Sequence, residues 1–368
     1  MTITGAALWG TGNILAGLGT AQFGAWWMYL TYGVIGGFGV GMAYITPVAV
    51  VTKWFPQRRG LGSGMVVMGF GLGAVGYNFI VKSLPSFSAA AAAAADYARV
   101  RAQGMSDGLH ADVISAPHAQ AVMHVFVVSG IAFLVIGCLC AALLQNPPAA
   151  SAADCRGQRS YTTAEMLRTR QFYLLWLMLF CNVTAGILVI SNALPIMQEL
   201  TGLSPKIVAA TFGALCLFNA LGRFFWGAVS DHIGRGRAFA LIFGIQAGVF
   251  ALLGQLHALP AVAIAYAVVL LCFGGGFGTM PSFNADYFGT RHIGANYGAI
   301  LTAWGVAGLV GPLFAAKVKD ATGSFSGTLP VVAVMLLIAM VLPMIIRKPE
   351  PGTQSSLHGA LPAKSGTT

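Results

Sequence analysis

Ten apolar runs, separated mostly by short loops, decide what this chain can fold into. A bilayer's hydrocarbon core is about 30 Å thick, so a helix needs about 20 mainly apolar residues to cross it. Runs of that kind read at roughly 5–23, 28–52, 61–83, 121–145, 171–197, 207–230, 238–256, 260–284, 295–317 and 328–346. Backbone polar groups in hydrocarbon must find partners within the protein, and a helix supplies them within one segment. The expectation is an all-α integral membrane protein with about ten transmembrane helices. Composition excludes a soluble domain, because 57% hydrophobic and 8% charged residues cannot cover a water-facing surface.

The net charge of +10 does not point to nucleic acid. The basic residues form neither a stripe nor an arm. They sit in loops: Lys53 to Arg59, then Arg156 to Arg170, then Asp231 to Arg237, then the tail after Arg347. These alternate with loops poor in positive charge, apart from Lys317 and Lys319. The positive-inside rule then puts both termini in the cytoplasm of a multi-pass inner-membrane protein. No basic region precedes the first run, so no cleavable signal is expected. Residues 1–145 read as an N-terminal bundle with an external loop over 86–120, which contains the Ala89–Ala95 run. Residues 146–170 read as a cytoplasmic linker, 171–347 as a C-terminal six-helix bundle and 348–368 as a disordered tail.

Of the six cysteines, five lie in the apolar runs as small packing residues, and the seven histidines lack metal-ligand spacing. No nucleophile–base pair or phosphate loop shares a common depth. The glycine strings near G-x-G-x-x-G are flanked by apolar helix, where close helix packing is the better account. No metal, no cofactor and no enzymatic chemistry are expected.

One cation stands apart. Arg223 lies well inside an apolar run, about seven residues or 10 Å from its end. A buried charge there is costly and marks a functional site. Its guanidinium stays charged and offers a fork to a carboxylate. The plain alternative is an arginine snorkelling to the interface. No Asp or Glu lies within the runs, which favours anion exchange or facilitated uniport over proton coupling.

A shift of 234 positions lays the chain on itself. Gly41 falls on Gly275, Pro47 on Pro281, Gly60 on Gly294, Gly64 on Gly298 and Gly71 on Gly305. Trp54 falls on Phe288, and Phe70 on Trp304. Such repeats mark transporters built from two similar halves. The same shift carries the two spans over 171–230 to negative numbers, so a twelve-helix fold truncated at its N-terminus is expected.

Gly227-x-x-x-Asp231-x-x-Gly234-Arg235 resembles the signature cytoplasmic loop of the major facilitator superfamily. Several stretches resemble its oxalate/formate antiporter-like branch of monocarboxylate carriers: Gly39 to Tyr44, Lys53 to Leu61, Gly69 to Gly73, Met166 to Tyr173 and Asn296 to Gly298. The resemblance implies a two-bundle fold and alternating access. It implies Arg223 as one of two cations holding a dicarboxylate, with Tyr44 lining the cavity. At the second cation the chain departs: where the oxalate carrier has lysine, Trp304 stands here, and Phe273 and Phe277 take further cavity positions. One cation in a more apolar cavity suits a monocarboxylate. The expected gate is Gly227, Asp231, Gly234 and Arg235, with Arg58 and Arg59 of the matching loop. The expected partners are a small carboxylate anion and the lipid bilayer, for a monomeric secondary transporter. A membrane carboxylate sensor of the same fold, or a truncated inactive transporter, is the alternative.

Overall fold

The computed structural model describes residues 1–82, 116–148 and 159–349. Most of the loop expected over 86–120, part of the linker and nearly all of the tail lie outside the described residues. The helices are α1 (Thr2–Phe23), α2 (Ala25–Trp54), α3 (Arg59–Lys82), α4 (Ala116–Ala142), α5 (Thr163–Leu167) and α6 (Arg170–Ser191). They continue as α7 (Ala193–Thr201), α8 (Pro205–Ile233), α9 (Arg235–Leu253), α10 (Leu259–Phe288), α11 (Ile293–Thr322) and α12 (Thr328–Ile345). Among the described residues no strand is present. Eight helices are long and apolar enough to cross a membrane: α2, α4, α6 and α8 to α12. The glycine-rich α1 and α3, of 22 and 24 residues, are two further helices of similar length.

Three boundaries differ from expectation, each for a local reason. The run 171–197 is broken at Asn192, where α6 stops and α7 begins. Pro195 lies in the first turn of α7, where a missing N–H is tolerated. Asn192 donates its side-chain amide to the Leu188 carbonyl at 2.9 Å, satisfying backbone at the break. Between α1 and α2 there is almost no loop, because Gly24 adopts φ +73°, a conformation costly for other residues. Trp27 then folds back to donate to the Leu15 carbonyl at 2.7 Å. At the other end of α10, the helix runs four residues past the expected edge at 284 and takes Asp286 into its last turn.

The repeat is written into the helix ends. Helices α2 and α10 begin and end 234 positions apart, 25 to 259 and 54 to 288, and α3 and α11 start 234 apart, 59 to 293. Packing does not repeat so evenly. Helix α3 crosses α8 so closely that a methyl group on Gly64 would lie 2.5 Å from the Arg223 carbonyl. One on its mate Gly298 would meet only the tip of Ile45, at 3.3 Å, and one on Gly305 would meet nothing within 4 Å. A groove of about 950 Å³ runs between α2 and the start of α11, lined by Gly33, Gly37, Gly41, Gly294 and Gly298 among others.

The basic loops gather at one end of the helices. There the linker folds back on α10 and α11. Thr162 and Glu165 cap α5 reciprocally, the Tyr161 N–H donates to the Phe288 carbonyl, and the Asn296 side chain donates to the Tyr161 carbonyl.

Candidate functional site

Helix α8 carries Arg223 ten residues before its end at Ile233, about 15 Å of helix and deeper than the run suggested. Only 6% of the residue is exposed. Its guanidinium lies 5.5 Å from the Phe70 ring and 5.3 Å from the Phe277 ring, within cation–π range. Nη1 donates to the Val67 carbonyl at 3.0 Å, while Nε is buried without a partner. Among the described residues no carboxylate pairs with it. A cation held by rings and one carbonyl keeps most of its positive field, so the site can accept an anion. The side chain stays among α3 and α10 and does not reach the loop end.

The rings around it form a chain of edge-on contacts across the two halves. Phe277 meets Trp304 at 5.3 Å and Phe273 at 5.4 Å between centroids. Phe70 meets Trp304 at 6.3 Å and Tyr44 at 5.3 Å. The Tyr44 hydroxyl then lies 3.4 Å from that of Tyr297. Arg223, Tyr44, Trp304 and Phe277, named from the sequence, thus come together, and Phe273 joins through Phe277. Its turn is fixed from behind: Asn182 donates to the Phe273 carbonyl at 3.1 Å and accepts from Gln246 at 3.0 Å.

Phe70, Tyr297 and the Val67 carbonyl were not named. Phe70 had a signal, since the 234-residue shift pairs it with Trp304, and Tyr297 sits in the Asn-Tyr-Gly string. A backbone carbonyl leaves no mark in a sequence.

A second constellation lies at the end of α8. Asp231 accepts from the Gly60 N–H at 2.9 Å and the Leu61 N–H at 2.7 Å, in the first turn of α3. Those unpaired N–H groups and the positive end of the helix dipole favour a carboxylate there. Arg235 donates to Asp231 at 2.6 Å and to Asp286 at 2.9 Å, and Arg59 donates to Asp286 at 3.0 Å. The four charged groups join α3 to α8, α9 and α10. Gly227 and Gly60 make this approach possible, for a methyl on Gly227 would lie 2.4 Å from the Gly60 carbonyl. Gly234 turns the chain from α8 into α9 at φ +89° and ψ 150°, a conformation open to glycine. Arg58 is exposed on the turn before α3, outside this network. Asp286 was missed because it was placed beyond its span; two arginines wanting a counter-charge were the available signal.

Sequence and structure comparisons bear on the family and the fold. The Major Facilitator Superfamily profile matches residues 1–312. The oxalate:formate antiporter of Oxalobacter formigenes is 31% identical over 286 residues, covering 77% of this chain and 61% of that protein. Apicoplast pyruvate carrier 1 of Toxoplasma gondii is 28% identical over 332 residues, covering 78% and 59%. The chain therefore spans about three-fifths of the length of these relatives. Among solved structures, the transporter FucP in the outward conformation superposes with a TM-score of 0.70 at 16% identity, over 93% of this chain and 81% of that one. A human organic anion transporter gives 0.60 at 16% identity, over 93% and 79%. By its helices, its repeat and its profile, the chain belongs to the Major Facilitator Superfamily.

Proposed function

We propose that the chain moves small monocarboxylates across a membrane by alternating access, as a secondary transporter. One observation carries this reading: a buried arginine with no carboxylate partner among the described residues, its Nε unpartnered, lying against aromatic rings contributed by both halves of the repeat. Arg223 attracts the carboxylate. Phe70, Phe277 and Trp304 surround the apolar body and exclude water, which strengthens the charge interaction. Relatives named as an oxalate:formate antiporter and a pyruvate carrier support the substrate class.

The bound anion competes with the Val67 carbonyl for the guanidinium. That bond runs from α8 to α3, so a ligand that draws Arg223 away loosens one tie between the halves. The Asp231–Arg235–Asp286–Arg59 network is the gate, made when the basic end is shut and broken when it opens. A ligand shifts such an equilibrium only by its differential contacts with the two states. The charge of the basic loops supports a cytoplasmic location for that end and for both termini, and in this proposal the monomer is the transporting unit.

Reconstitution into proteoliposomes tests the reading. Labelled lactate, formate and pyruvate should enter vesicles preloaded with unlabelled acid, and saturably. Binding of these acids without flux would identify a sensor instead.

A further inference from the structure

We infer that the hydroxyls of Tyr44 and Tyr297 form the second half of the carboxylate seat, donating to the oxygen that Arg223 does not hold. This rests on the anion-carrier reading above. Tyr297 is 1% exposed, yet the one hydrogen-bond partner of its hydroxyl among the described residues is the Tyr44 hydroxyl at 3.4 Å. That distance is long against the usual 2.7–2.8 Å for O–H···O bonds. Each phenol carries one proton. Whichever donates to the other, the second proton has no acceptor among the described residues. A buried donor left idle is costly, and the interior of a membrane protein has little water to take it.

An idle phenol proton and an idle guanidinium Nε–H therefore lie in the same ring of aromatic contacts, joined through Phe70. Both are donors. Both want an acceptor with negative charge, and a carboxylate presents two oxygens. With Trp304 beside them in place of a second cation, the site balances one negative charge and no more. A dicarboxylate would press its second charge against Phe277 and Trp304. The phenols thus set specificity for a single carboxylate with a small body. They also lie on α2 and α11, one in each half of the repeat, so an anion seated there touches both.

The test uses the full chain in detergent and in proteoliposomes, with lactate as probe. Tyr297→Phe and Tyr44→Phe each keep the ring and remove one hydroxyl. Each should weaken lactate binding about tenfold or more, with thermal stability near wild type. Unchanged lactate affinity in both variants, with or without a fall in melting temperature, would show the hydroxyls to be mere ties between helices and overturn the inference. If Arg223→Lys abolishes lactate binding in that same experiment, the carrier reading survives that loss. If Arg223→Lys binds lactate like wild type, the carrier reading falls and the phenol seat with it.

Discussion

Phe70 and Trp304 stand 234 positions apart in the chain and edge-on in space, their ring centroids 6.3 Å apart and their planes at 87°. Mates in an internal repeat meet at the axis that relates the halves, and Arg223 lies against the Phe70 ring at that meeting point. A ligand held there is touched by both halves, which is the geometry alternating access needs.

Exchanging Trp304 for lysine supplies a second cation where the resemblance to oxalate/formate carriers implies one. Trp304→Lys should move the ratio of oxalate to lactate affinity toward oxalate by about tenfold or more. Competition binding checks it. The same change removes a ring from the aromatic box, so a lower melting temperature is expected alongside.

The repeat makes an asymmetric prediction about glycines. Gly64→Ala drives a methyl into the Arg223 backbone and should cost about 1–3 kcal/mol, with reduced transport. Gly305→Ala meets open space within its helix and should be neutral or stabilising by up to about 1 kcal/mol. Thermal melts of the two variants decide this, and equal losses would contradict it.

Much of this architecture was legible in the chain. Hydropathy located the long helices because hydrocarbon leaves the backbone few choices, and the glycine and proline register revealed the repeat. Arg223 declared itself by its cost. What stayed hidden was tertiary. Nothing local says that Phe70 rather than another phenylalanine faces the guanidinium, that Val67 lends its carbonyl, or that Asn192 breaks a helix. Asp286 escaped notice because a helix end is set by capping contacts as well as by hydropathy, and α10 outran its apolar run.

Asp286 accepts from both Arg59 and Arg235, so Asp286→Asn weakens two ion pairs with little change in shape. The basic end should then open more readily. A cysteine placed at Leu61 in a cysteine-free background should react faster with a water-soluble maleimide when Asp286 is replaced. Asp231→Asn should act in the same direction, because it also loses its charge at the first turn of α3.

At the opposite end Glu199 ties α7 to the turn before α12. Partial burial raises its pKa, but hydrogen bonds from the Ser324 hydroxyl and the Phe325 N–H outweigh that and hold it below the ordinary glutamate value. A carboxylate depressed by folding adds stability above its unfolded pKa, and that contribution is lost as the pH falls through the folded value. The melting temperature should therefore fall in the acid range by more for wild type than for Glu199→Gln. Parallel pH profiles would contradict it.

Arg223 is proposed to hold the transported anion through the geometry of its guanidinium. Lactate counterflow by Arg223→Lys, in vesicles matched for folded protein, tests it most directly, because lysine keeps the charge and loses the fork. Saturable counterflow is expected for the wild type, and a fall of about a hundredfold for the variant. Wild-type counterflow by Arg223→Lys would contradict it.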